Sequence, residues 1–147
     1  MITLDCSNQF IKITGRYETT EYKSWRFSFP GISIKIRIKC ATLKVVMKDH
    51  AQAGRHNYFN IIIGNEATAM FHPDYNIGSS TIFENEISQW RTVELFKRTE
   101  SEVGVCEFFG FETDDTAEFQ TIDDAALKIE FIGDSLTCGY GIEAQSA

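Results

Sequence analysis

The 147-residue sequence predicts an all-β chain, a jelly-roll-like β-sandwich, on three observations. Its dominant hydrophobic period is two residues. Roughly nine or ten short apolar runs follow one another with turn residues between them. No stretch of ten or more residues carries a convincing helical pattern, and strands without helices close into sandwiches or barrels.

Phe10–Ile13 reads as the first strand. Trp25-Arg-Phe-Ser-Phe29 alternates apolar with polar, and Pro30-Gly31 ends it in a turn. Ile32–Lys39 alternates most cleanly. Ile32, Ile34, Ile36 and Ile38 face one way, and Ser33, Lys35, Arg37 and Lys39 the other, so one face is buried and one wet. Leu43–Met47 follows. Tyr58–Ile63 is apolar on both faces, as suits a central sandwich strand, and Gly64-Asn65 turns the chain toward Ala67–Phe71. Thr81–Glu84, Arg91–Phe96, Cys106–Phe111 and Leu127–Ile132 complete the set. Strand order does not follow from periodicity. The acidic stretch Glu112–Asp124 reads as a solvated loop or linker before the last strand. It suggests a division into a sandwich domain over 1–126 and the start of a second unit over 127–147.

Composition fits one globular domain with its own core: 43% hydrophobic, 13% aromatic, 12 Phe and only 2 Pro. A net charge of −7 argues against nucleic acid, whose phosphates need a basic surface. It suits a neutral partner, glycans among them. No apolar run approaches the ~20 residues of a membrane span. Met1–Cys6 lacks a basic region followed by an apolar stretch, so no signal peptide is read. Location stays open between the cytoplasm and an exported chain whose leader is gone. Cys6, Cys40, Cys106 and Cys138 form no CxxC pair and have no histidine at zinc spacing. They read as buried free thiols; in an exported chain they would allow one or two disulfides. Neither a metal nor a cofactor is called for.

The segment Ile129-Glu-Phe-Ile-Gly-Asp-Ser-Leu-Thr-Cys-Gly-Tyr-Gly141 carries the chemistry. An apolar strand runs into Gly133-Asp134-Ser135-Leu136, and glycines follow. A strand ending in a tight turn presents its serine at the tip. If a helix starts there, the serine N–H points to where an oxyanion forms. Gly133 lets the backbone turn and approach a substrate closely. The tetrapeptide alone is a weak signal; the strand before it and the Thr137–Gly141 run after it supply the context.

This segment resembles block I of the GDSL/SGNH hydrolases. Upstream, Gly15-Arg16, the Trp25–Gly31 run and Asn57–Gly64 resemble the N-terminal β-sandwich of carbohydrate esterase family 2. So do Val93–Glu100, Gly104 and Phe108–Phe111, and the likeness covers about residues 10–143. The resemblance implies a sandwich joined directly to the nucleophile block of a deacetylase acting on plant polysaccharides such as xylan or mannan. In that mechanism a serine attacks the acetyl carbonyl, a histidine takes its proton, and water hydrolyses the acyl-enzyme. The family's oxyanion donors are the serine N–H, a later glycine and a later asparagine. Only the first maps here, onto Ser135, with Gly133 and Asp134 as the structural turn. The later glycine, asparagine and histidine have no counterpart.

The expectation is therefore a chain cut just past its nucleophile and inactive by itself. Its partners would be an acetylated polysaccharide or oligosaccharide and an SGNH catalytic domain that is missing or separately encoded. Gly133–Ala147 should be its least ordered part, with Ser135 exposed and lacking a histidine partner. Two alternatives stand beside this one: a non-catalytic carbohydrate-binding sandwich, or a structural sandwich packed on a separate catalytic half. A dedicated binding module has no reason to keep Gly133–Leu136, whereas a truncated or split esterase does.

Other candidates have blander readings. His50, His56 and His72 precede Ser135 and could reach it, since triad order varies between folds. Each, however, lies in a loop-like stretch and reads as a surface histidine. His72-Pro-Asp74 offers two ligands, too few for a metal. Lys35, Arg37 and Lys39 read as a solvated face that resists aggregation. Trp25, Trp90, Tyr58 and Tyr75 could stack on sugar, but at strand spacing Trp25 and Trp90 read as core or interface. Glu94 and Glu100 could be an acid pair for glycoside cleavage; Glu100 beside Lys97-Arg98 reads more simply as a surface ion pair.

Overall fold

The computed structural model describes residues 1–127 and 129–137. Its strands are β1 (Ile2–Asp5), β2 (Ile11–Thr14), β3 (Glu18–Thr19), β4 (Trp25–Phe27) and β5 (Ser33–Asp49). They continue with β6 (Phe59–Ile63), β7 (Glu66–Phe71), β8 (Gly78–Lys97), β9 (Cys106–Thr113) and β10 (Glu118–Gln120). Among the described residues, a single 3₁₀ turn at Ser101–Val103 is the one departure from β structure and loops, and no helix is long and apolar enough to cross a membrane.

All pairings are antiparallel, and two long strands organise them. The first half of β5 pairs with β8 on one side and with β2 and then β10 on the other. Its second half keeps β8 and exchanges β2 and β10 for β9. The change coincides with register shifts at Cys40/Thr42 and Leu43/Lys44, since extra residues bend a strand and steepen its twist. One layer thus runs β7–β6–β8–β5 with β2 and β10 at its edge. The other runs from β5 through β9 to β4 and β3, with β1 beside β9. The fold is a β-sandwich, as the sequence predicts.

The alternation of Ile32–Lys39 is realised: Ile34, Ile36 and Ile38 are fully buried. Leu43, Val45, Val93, Leu95, Phe108 and Phe111 close the core with them. Each large apolar side chain so buried contributes about 1.5–3 kcal/mol. Phe27 of β4 meets Phe59 of β6 edge-on at 6.1 Å and Trp25 stacks on Phe108 at 5.6 Å, so aromatic rings bridge the strands. Cys6, Cys40 and Cys106 are buried free thiols; Cys138 lies outside the described residues.

Several expectations are corrected. Ser33–Lys39 and Leu43–Met47 belong to one strand, with Ile32 just before it, and Thr81–Glu84 and Arg91–Phe96 belong to another. In β8 the pairing jumps from Glu84 to Gln89 opposite the single residue Ala41, so the residues between bulge out of the ladder without ending the strand. Glu112–Asp124 is no linker: it contains the end of β9 and all of β10, and Phe119 stacks on Phe10 at 5.5 Å. The described residues of Leu127–Ile132 form no strand. A strand needs a ladder, and no described strand pairs with them.

Candidate functional site

The turn at Gly133–Thr137 is built by its own side chains. Asp134 Oδ1 accepts the Leu136 N–H at 3.0 Å, an Asx turn that substitutes a side chain for a backbone carbonyl. A Cβ on Gly133 would sit 2.0 Å from Thr137 Oγ1 and 2.6 Å from Thr137 Cβ. Only glycine lets the chain close this tightly. Ser135 and Leu136 stand exposed on the turn. The structure thus brings Gly133, Asp134 and Ser135 together. The sequence from Cys138 on, including most of the tail expected to be least ordered, lies outside the described residues.

Ile129–Asp134 and Thr137 lie across one end of the sandwich and leave an open cleft of about 1330 Å³. Its opposite wall includes Gly15-Arg16, named above for the family likeness, and Phe29 with the Pro30-Gly31 turn. The Arg16 guanidinium lies over the Phe29 ring at 5.3 Å, and Arg98 Nη1 donates to Asn60 Oδ1 at 3.0 Å. Arg16, Asn60 and Arg98 were not singled out as site residues. Gly15-Arg16 carried a signal through the family likeness, whereas Arg98 and Asn60 become neighbours only by strand pairing.

No histidine lines this cleft, and all three in the chain are engaged elsewhere. His50 Nε2 lies 2.7 Å from Glu107 Oε2, to which Arg26 also donates at 3.1 Å, while Ser24 Oγ donates to Glu107 Oε1. Serine, acid and histidine are therefore all present, but wired wrongly for a triad. The serine bonds the acid rather than the imidazole, and both Ser24 and Glu107 are buried. Burial pushes the Glu107 carboxyl up, but the hydrogen bonds from Ser24, His50 and Arg26 outweigh it and hold the pKa below its ordinary value. The group ties β4 and β9 to the end of β5. His56 stacks on His72 at 4.1 Å and on Tyr75 at 4.8 Å. Among the described residues, no group of three or more His, Cys, Asp and Glu is placed to hold a metal ion.

The remaining candidates resolve as follows. Trp25 is core, but Trp90 is 40% exposed on the outer face of the sheet. Glu94 pairs with Lys35 at 3.2 Å. Lys97 is not a surface residue: it is fully buried, and its Nζ donates to Thr99 O at 2.6 Å and to Thr99 Oγ1 at 3.1 Å. Desolvation lowers its pKa to about 8.

A sandwich that runs into a glycine–aspartate–serine turn defines a class, the N-terminal β domain of an SGNH-type carbohydrate esterase. The chain belongs to the carbohydrate esterase 2 N-terminal family, whose model matches residues 13–122. It is similar to cellulase/esterase CelE of Acetivibrio thermocellus, 26% identical over 98% of this chain and 17% of that protein. It is also similar to the acetylxylan esterase / glucomannan deacetylase of Cellvibrio japonicus, 29% identical over 80% of this chain and 31% of that protein. The chain thus spans less than a third of either relative. The solved family two carbohydrate esterase from Cellvibrio japonicus superposes with a TM-score of 0.87 at 23% identity, over 99% of this chain and 43% of that one.

Proposed function

We propose that this chain is the N-terminal sandwich of a serine esterase that deacetylates plant polysaccharides such as xylan or mannan, and that Ser135 is its nucleophile. The sandwich would span 1–126, and 127–147 would open the catalytic domain. The observation that carries the reading is the Gly133–Thr137 turn, which sets Ser135 in the open beside a cleft. The relatives' activities point the same way. Ser135 Oγ would add to the acetyl carbonyl carbon and pass its proton to a histidine. The sugar hydroxyl would leave, and water would release acetate from the acyl-serine. The Ser135 N–H would be one oxyanion donor.

All three histidines of the chain are committed within the sandwich, so the base comes from a catalytic half supplied in addition to these residues. The chain alone is therefore inactive. The 147-residue chain should hydrolyse 4-nitrophenyl acetate no faster than its Ser135→Ala variant. Fused after the turn to the catalytic half of a family relative, it should release acetate from acetylated xylan, and Ser135→Ala should then lower the rate by at least ~10³-fold. Serine-dependent turnover by the chain alone would overturn the proposed source of the base. Turnover by the fusion that survives Ser135→Ala would overturn the nucleophile.

A further inference from the structure

The outer face of the layer containing β2, β10, β5 and β8 carries an arrangement that the esterase reading does not use. Ile36 and Ile38 point into the core, so Lys35, Arg37 and Lys39 point out. Register places Gln120, Arg37 and Thr92 in one row across β10, β5 and β8, and Glu118, Lys39 and Trp90 in the next. Rows two residues apart along a strand are about 7 Å from each other on the same face.

The charges in these rows are not equivalent. Lys12 pairs with Asp124 at 2.6 Å, Lys35 with Glu94 at 3.2 Å and Lys39 with Glu118 at 2.6 Å. Arg37 is held instead by neutral groups: Nε donates to Gln120 Oε1 at 2.7 Å and Nη1 to Thr92 Oγ1 at 3.0 Å. No described carboxylate pairs with it. In a chain of net charge −7 it is a fixed cation whose charge its neighbours leave unmatched. A guanidinium has five N–H donors, and these two contacts leave others for a ligand, with fork geometry suited to a carboxylate. The same guanidinium lies 5.6 Å from the ring centroid of Trp90, whose indole remains 40% exposed.

We propose that this face binds a uronic-acid-bearing glycan, with the sugar carboxylate on Arg37 and a pyranose ring against Trp90. An exposed indole presents a flat apolar surface for the C–H face of a sugar. Gln120, Thr92, Lys39 and Glu118 around it mix donors and acceptors, which is what hydroxyls require. A phosphate polymer fits badly, because it needs several free cations, and here Lys35 and Lys39 are neutralised by Glu94 and Glu118. The site is preorganised: β10 is clamped by the Phe10–Phe119 stack, and Arg37 by two hydrogen bonds. The inference is independent of Ser135 and of any ester chemistry.

The test is titration of the 147-residue chain with glucuronic-acid-substituted xylotriose and with unsubstituted xylotriose, by calorimetry and by Trp90 fluorescence. The acidic oligosaccharide should bind at least ~10-fold more tightly, and more weakly as salt rises. Arg37→Gln should erase the preference, Arg37→Lys should restore part of it, and Trp90→Ala should weaken both sugars. The readout is binding and not acetate release, which separates this result from any failure of the esterase reading. Both side chains point outward, and unchanged melting temperatures would show that the variants fold. Equal affinity for the two sugars, no binding of either, or parent-like binding by Arg37→Gln and Trp90→Ala would overturn the proposal.

Discussion

Asp114 shows how much of this fold hangs on single polar groups. Its Oδ2 accepts the N–H groups of Ala41 and Thr42 at 2.8 and 3.1 Å, and its Oδ1 accepts Thr116 Oγ1 at 2.6 Å. Ala41 and Thr42 lie where β5 shifts register, so the carboxylate stands in for partners that the interrupted ladder withholds. The hydrogen bond from Thr116 foremost, with those from Thr42 and Ala41, lowers its pKa from 3.8 to about 2 despite some burial. A carboxyl whose pKa falls on folding adds stability above its unfolded value and loses it as pH drops through the folded one. Asp114→Asn should therefore cost about 1–3 kcal/mol at pH 6. The gap to the parent should shrink as pH falls from about 4 to 2, as urea unfolding at several pH values would show. A gap constant with pH would mean that the charge is irrelevant to the bend. In the sequence, Asp114-Asp115 read only as solvated loop, because the amides that need this carboxylate lie some seventy residues away.

The strands divide by how local their cause is. Those with strong alternation, β5 above all, were legible because each buries one face and wets the other. The short strands β1, β3 and β10 were not: with two to four residues apiece they carry too little pattern, and their partners are distant in sequence. β1 exists because β9 leaves room for it. At Gly110, between Asp5 of β1 and Val46 of β5, φ is +148° and an added Cβ would sit 1.9 Å from Leu4 O. The same glycine adjoins the register shift that leaves Phe109 out of the β5 ladder. Gly110→Ala should thus be strained twice over, costing upward of about 2 kcal/mol. Hydrogen exchange should show Leu4 and the amides paired to it opening before the β5–β8 ladder does. Uniform loss of protection would instead mean that β1 is integral to global unfolding.

At the scale of the whole molecule, legibility was uneven in a different way. The Gly133–Ser135 turn could be read because its glycine, aspartate and serine are adjacent in sequence. The cleft beside it could not, since its wall is assembled from β-turns and strand ends that meet only in the fold. Nor did the sequence distinguish Trp25 from Trp90; period two fits both, and only packing makes one core and the other surface. The segment after the sandwich raises a question of stability. Leu127, Ile129, Phe131, Ile132 and Leu136 are all exposed, Phe131 by 81% and Ile132 by 91%. Exposed apolar patches commonly serve as contact surfaces. By contrast, the sandwich closes without them: Lys12 Nζ holds Asp123 O at 3.0 Å, the Lys12–Asp124 pair lies beside it, and β10 is already in place. A chain ending at residue 126 should therefore fold with the same melting temperature as the 147-residue chain, within a few degrees. It should also remain monomeric in sedimentation velocity at concentrations where the longer chain self-associates, and Phe131→Asp with Ile132→Asp should reproduce the monomer in the longer chain. A 1–126 chain that failed to fold would show that residues past 126 belong to the sandwich. A 147-residue chain that stayed monomeric throughout would show that the exposed apolar segment needs no partner.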